Sequence, residues 1–155
     1  LTNYDSGRCD VLTTDASGLY SMRAASNDPS EHVVLPEIIS KEPLGPVVRQ
    51  GDDQWFNIVR WSLNAMITAE ELGVTSATVD DVTNNPERER LMGRSGNTHE
   101  YVGLTPDWTY NIISQVGNYS ESFERNIGLN TPIGIARGVN ALWTDGGILY
   151  SPPFR

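Results

Sequence analysis

The chain has 155 residues, enough for one domain of ordinary size with a sizeable buried core. It is 38% hydrophobic and 20% charged, and no apolar run approaches the roughly eighteen residues a membrane span requires, so a soluble globular class is expected. Eleven Lys and Arg against twenty Asp and Glu leave a net charge of -9, which argues against nucleic acid and anionic lipid as partners, because affinity for either comes from clustered positive charge.

Residues 1–6 hold neither the basic start nor the apolar stretch of a secretory signal or transit peptide, and the first residue is Leu1 rather than Met, so removal of an upstream segment is expected. Cys9 is the only cysteine. It is either an inert buried thiol or one half of a bond whose partner lies elsewhere.

After Gly7, the apolar and β-branched residues Val11, Leu12, Thr13 and Thr14 predict a strand, and Leu19, Tyr20 and Met22 begin a short helix beyond Asp15. Val33, Val34, Leu35, Ile38 and Ile39 are interrupted by Pro36, which confines that stretch to a sheet edge or a crossing segment. Pro43 and Pro46 around Gly45 predict a hinge, followed by a short strand through Val47 and Val48. The clearest helix is predicted over 52–72, with Trp55, Val59, Leu63 and Met66 as its apolar face, Asp52 or Asp53 as its cap and Gly73 as its stop. Glu70 and Glu71 fall in its last turn, where the helix dipole disfavours them, so neighbouring cations are expected.

Asn85 and Pro86 open a short helix over 87–92, closed by Gly93. Residues 94–102 read as loop. Thr105, Pro106 and Asp107 then start a helix carrying Trp108, Ile112, Val116 and Tyr119, which Gly117 and Asn118 kink or divide. Its second part, 119–126, ends at Gly128. Gly134, Gly138, Gly146, Gly147, Pro152 and Pro153 describe an extended, loosely regular tail. Two or three strands against four helices are too few for a complete α/β sheet, which marks the chain as part of something larger.

Chemistry is sparse. His32 and His99 lie far apart without ligand spacing, so no metal site is expected. Cys9 sits between Arg8 and Asp10 without a catalytic motif, and Ser17 before Gly18 lacks the G-x-S-x-G elbow. Gly93 and Gly96 are not followed by the Lys-Ser or Lys-Thr of a phosphate loop, and the sole lysine is Lys41 in the proline-rich crossing. Asn118, Tyr119 and Ser120 form a glycosylation sequon, but inside a predicted helix. Asp15 is the one residue whose position suggests a job. Ligands of open α/β sheets bind beyond the carboxyl ends of strands, where a carboxylate can accept charge-assisted hydrogen bonds from an ammonium group. The simpler reading makes Asp15 the cap of the following helix.

The run Gly7-Arg8-Cys9-Asp10-Val11-Leu12-Thr13-Thr14-Asp15 resembles the G-R-x-D-A-x-x-x-D-like stretch of periplasmic solute-binding proteins of polar amino acid ABC transporters. The segments LPEIISKEPLGPVVRQGDDQWFNIVRW (35–61), AEELGV, QVGNYSESFERNIG and RGVNALWTDGGILYSPPFR are similar to the general L-amino acid-binding subgroup. The resemblance covers only the carboxyl-terminal half of such a protein. It implies an α/β fold, part of a two-lobe type II periplasmic binding protein: residues 1–39 the end of the second lobe, 40–44 the return crossing, and 45–155 the carboxyl portion of the first lobe with its tail. It places Asp15 where the family binds the α-ammonium of its amino acid, and Ser40, Lys41, Glu42 and Pro43 in the hinge. It further implies a disulfide from Cys9 to a cysteine of the absent half, as suits an oxidising periplasm. Ser120 stands where the subgroup has glycine, a change on a helix surface.

The implied function is capture of free L-amino acids in the periplasm by hinge closure and delivery to a membrane permease, with no catalysis, no cofactor and no insertion into the membrane. The implied partners are the amino acid, the permease and the amino-terminal half of the same protein. Two alternatives remain: an isolated or domain-exchanged fragment that binds no ligand, and an amino acid dehydratase-like enzyme on the same fold, for which no acid/base pair is visible.

Overall fold

The computed structural model describes residues 1–81 and 84–154. The described residues form seven α-helices: α1 Thr2–Asp5, α2 Ala16–Ala25, α3 Asp53–Glu71, α4 Pro86–Leu91, α5 Thr98–Val102, α6 Trp108–Val116 and α7 Tyr119–Asn126. Among them, none is long and apolar enough to cross a membrane. The chain divides into two compact units, Leu1–Gly45 with Ile127–Ala136, and Pro46–Asn126 with Arg137–Arg155.

The first unit has almost no interior. None of residues 1–45 is buried, and its order comes from local polar contacts. Asp15 caps α2, Asp28 caps the 3₁₀ turn Pro29–Glu31, and Tyr4 bonds His32 Nδ1 through its hydroxyl at 2.8 Å. Val33, Leu35, Ile38 and Ile39 stay exposed on an extended segment, Ile39 at 83%.

The strand expected over 11–14 does not form, nor does the one through Val47 and Val48. Among the described residues the sole β-pairing is a single bridge between Leu142 and Leu149. A strand's hydrogen bonds run to a neighbouring strand, and no described segment exchanges backbone hydrogen bonds with either stretch. Strand propensity was present; the partner was not.

The second unit is built on α3. Asp52 starts it, its Oδ1 accepting from Trp55 N at 2.9 Å, and its last free carbonyl, Leu72 O, accepts from Arg88 Nε and Nη2 at 3.0 and 2.5 Å. Ala65 and Ala69 are fully buried and pack with Val74, Leu91, Met92, Val102, Trp108 and Ile113, joined from the rim by Ile58, Trp61 and Leu72. The face expected from sequence is therefore not the main core face. Of Trp55, Val59, Leu63 and Met66, only Met66 packs against this core; Trp55 is half-exposed, and Val59 and Leu63 line a groove on another side. The helix carries two apolar rows, and the alanines, weak in hydropathy, mark the row that is fully buried.

The cations expected near the end of α3 arrive from the tail. Arg137 Nη2 donates to Glu70 Oε1 and Oε2 at 2.8 and 3.1 Å and to Asn140 O at 2.8 Å, while its guanidinium lies over the rings of Tyr119 and Phe123. Glu71 instead accepts from Trp143 Nε1. Asn85 caps α4 as expected, its Oδ1 accepting from Glu87 N and Arg88 N.

Residues 94–102, expected as loop, contain the single-turn helix α5, whose Val102 is buried in the core. Gly93, at φ +70°, closes α4 where a Cβ would lie 1.7 Å from Pro106 O, so no other residue fits without moving the backbone. Gly117 and Asn118 divide α6 from α7. Asn118 is 4% exposed, its Nδ2 donating to Val74 O and its Oδ1 accepting from Glu121 N, so the sequon asparagine is a buried capping residue.

The tail is more ordered than expected. Two 3₁₀ turns, Gly138–Asn140 and Trp143–Asp145, fold it back on itself, and Phe154 re-enters the core with its ring edge-on to Trp61 at 5.2 Å. Phe154→Ala should lower the unfolding free energy by about 3–5 kcal/mol, whereas Ile148→Ala, at a position 73% exposed, should change it by less than about 0.5 kcal/mol. Denaturant titration of the two variants checks the difference.

Candidate ligand-binding site

Asp15 sits at the amino end of α2 with φ -59° and ψ 152°. Its Oδ2 accepts from Gly18 N at 2.8 Å and from Ser17 Oγ at 2.5 Å, and its Oδ1 accepts from Thr14 Oγ1 at 3.3 Å. This is helix capping by geometry, the simpler of the two readings the sequence left open. A Cβ at Gly18 would lie 3.1 Å from Asp15 Oδ1 and from Thr14 Cγ2, so a larger residue there would need these side chains to shift by a few tenths of an ångström.

Capping does not exhaust the carboxylate. Two oxygens offer about four acceptor positions, and three donors are in place. Asp15 is partly buried, and acceptor capacity remains beyond these three bonds. The Ser17 hydroxyl first, and the Gly18 amide second, hold its pKa below the ordinary aspartate value. The group is thus a fixed anion at neutral pH, oriented from three sides.

The other residues singled out in the sequence do not join it. Cys9 is exposed and its thiol is free. Ser40, Lys41, Glu42 and Pro43 lie on an exposed extended segment, where Ser40 Oγ donates to Glu42 Oε1 at 3.3 Å and Leu44 N to Glu42 O at 2.9 Å. Among the described residues no hydrogen bond or ion pair connects these positions with Asp15. No group of three His, Cys, Asp or Glu gathers among the described residues; His32 belongs to the first unit and His99 to the second.

Sequence reasoning missed the groove on α3. Pro46 and Val48 form one wall, and Phe56, Val59, Arg60 and Leu63 the other, around about 190 Å³. The signal was available, because Ile58, Trp61, Ala65, Ala69 and Leu72 form a second row at three- and four-residue spacing beside the one first assigned to the core.

No protein-family model matches the chain. It is 60% identical to the general L-amino acid-binding periplasmic protein AapJ of Rhizobium johnstonii, over 98% of this chain and 46% of that protein. It is 54% identical to the glutamate/glutamine/aspartate/asparagine-binding protein BztA of Rhodobacter capsulatus, over 98% and 46%. A solved structure, an ABC transporter periplasmic binding protein from Brucella ovis with glutathione bound, is 51% identical with a TM-score of 0.93, covering 99% of this chain and 49% of that one. The chain is homologous to the periplasmic binding proteins of amino acid ABC transporters. It spans about half the length of the curated relatives it matches.

A lowered Asp15 pKa contributes stability that is complete above the pKa of an unfolded aspartate, about 4, and is lost as pH falls through the lower folded value. Ser17→Ala should move the Asp15 carboxyl titration up toward the ordinary value, and with it the pH at which α2 begins to fray. Carboxyl-carbon NMR titration of both proteins checks this.

Proposed function

We propose that the chain is the carboxyl-terminal half of a two-lobe periplasmic binding protein that captures free L-amino acids and hands them to the permease of an ABC transporter. The observation that carries this reading is identity of 54–60% across nearly the whole chain with binding proteins of that kind. In this reading the protein binds and releases its solute unchanged, with no cofactor. Residues 1–39 end the second lobe, Ser40, Lys41, Glu42 and Pro43 bend in the return crossing, and the remainder belongs to the first lobe. Cys9, whose thiol is exposed, pairs with a cysteine of the amino-terminal half.

Asp15 receives the α-ammonium. Two properties support the assignment: the carboxylate is ionised at neutral pH, for the reasons given above, and its orientation is fixed by bonds to Ser17, Gly18 and Thr14, so little ordering cost falls on binding. The glutathione bound to the Brucella ovis protein also carries a free α-ammonium and α-carboxylate on its glutamyl residue, so the same head group serves both ligand classes.

Asp15→Asn in the full-length protein should weaken every L-amino acid by a similar factor, about tenfold or more, because all share the α-ammonium. The amide still accepts from Gly18 N, so α2 should keep its cap. Calorimetric titration with glutamate, glutamine and an apolar amino acid checks this. A loss confined to one side-chain class would remove Asp15 from the ammonium site.

A further inference from the structure

The chain passes between its two units more than once. One passage follows Gly45, just beyond the crossing read from sequence, and two more flank residues 127–136. These residues belong to the first unit, although α7 before them and the tail from Arg137 after them belong to the second. They form a compact loop with a closed base. Ile135 N donates to Ile127 O at 2.9 Å, and Thr131 braces the interior, its Oγ1 donating to Gly128 O at 2.8 Å and accepting from Gly134 N at 3.3 Å. The loop comes close to α2: a Cβ at Gly134 would lie 3.9 Å from Arg23 Nη2, and that guanidinium is itself held over the ring of Tyr20 at 4.9 Å. Both ends of the loop are held in the second unit by one residue. Arg137, which directly follows the loop, lies at 5.4 and 5.3 Å over the rings of Tyr119 and Phe123 on α7, the helix that leads into it, and pairs with Glu70 at the end of α3. Entry and exit are pinned together, so the loop is a stiff arm and not a slack linker.

We propose that residues 127–136 are an arm by which the second unit holds α2, limiting how far that helix, with Asp15 at its amino end, moves away in the ligand-free protein. The inference rests on the two-lobe reading above, in which the units move about a hinge, and it adds a second restraint to the crossing at Ser40, Lys41, Glu42 and Pro43. Arg137 and Arg23 are positioning residues in this scheme: one pins the base of the arm and the other seats its body on α2. Neither is assigned a contact with the solute. A restraint on opening raises the fraction of ligand-free protein that is competent to close, and apparent affinity scales with that fraction. The effect is therefore the same for every solute.

Lengthening the arm in the full-length protein tests the proposal. Gly-Ser-Gly-Ser inserted both between Asn126 and Ile127 and between Ala136 and Arg137 adds about 10 Å of reach to each stalk and leaves Arg137 in place. The same insertion between Leu129 and Asn130, both exposed, enlarges only the tip, because the base stays closed. Small-angle X-ray scattering should give the stalk variant a larger ligand-free radius of gyration than the unmodified protein, with the two equal once L-glutamate is bound. Calorimetry should show Kd for L-glutamate and L-glutamine raised by one common factor, about threefold to tenfold. The tip variant should match the unmodified protein in both measurements. A stalk variant with the unmodified ligand-free radius would overturn the proposal, as would a tip variant with an equal shift or a weakening that differs between the two amino acids. If the stalk variant loses amide protection at Ala65 and Ala69, Arg23→Ala decides instead, since it removes the seat on α2 and leaves the second unit untouched: the proposal requires a larger ligand-free radius and falls if the radius is unchanged. The functional reading is scored on the unmodified protein. Absence of amino acid binding there removes that reading, and the ligand-free radii still decide the arm.

Discussion

The ordered part of this chain depends on the inner row of α3. Ala65 and Ala69 present almost no side chain, so α4, α5, α6 and the returning tail can close on the helix and bury Leu91, Val102, Ile113 and Phe154 around it. Apolar burial of this kind is the dominant favourable term in folding, and the polar contacts of the unit are arranged around it. Arg88 ties off the end of α3, Arg90 Nη1 donates to Phe154 O at 3.1 Å, and Arg137 joins Glu70 to the tail. These arginines hold peripheral segments against the core. The first unit has no equivalent row, and its order is correspondingly local.

Helix termini were the most legible features of the sequence, because their signals are local. Asp52, Asn85 and Asp15 each cap the helix that follows, and Gly73, Gly93 and Gly117 stand where the chain must take positive φ. What could not be read locally was decided by tertiary contact. The row of large residues on α3 looked like the core face, yet small alanines on another side permit the closest packing. Helix α5 has too few residues to be stable by propensity and persists because Val102 enters the core. Phe154 follows two prolines in a stretch that reads as an extended, loosely regular tail, and its burial depends on a slot between Trp61 and Trp108 that no sequence window contains. The strand expected at 11–14 has the composition of a strand, but pairing is a property of two segments.

At Asp15 the observed capping geometry is compatible with the proposed ligand role. Capping fixes the carboxylate, and the hydroxyl of Ser17 with the amide of Gly18 lowers its pKa below the ordinary aspartate value. In the proposed function a ligand ammonium would meet an anion whose orientation is already set. This is the contribution of the chain's first unit to binding in that reading, and the half this chain does not span supplies the rest of the enclosure.

That division of labour has a direct consequence. A small solute is held tightly when it is enclosed and most of its surface leaves water, and one carboxylate cannot enclose it. Calorimetric titration of L-glutamate into this chain alone and into the full-length polypeptide is the measurement that bears most directly on the account. The expected result is saturable binding by the full-length protein and no detectable heat of binding with the chain alone. Binding by the chain alone with the affinity of the full-length protein would contradict it, and would place a complete amino acid site within these 155 residues.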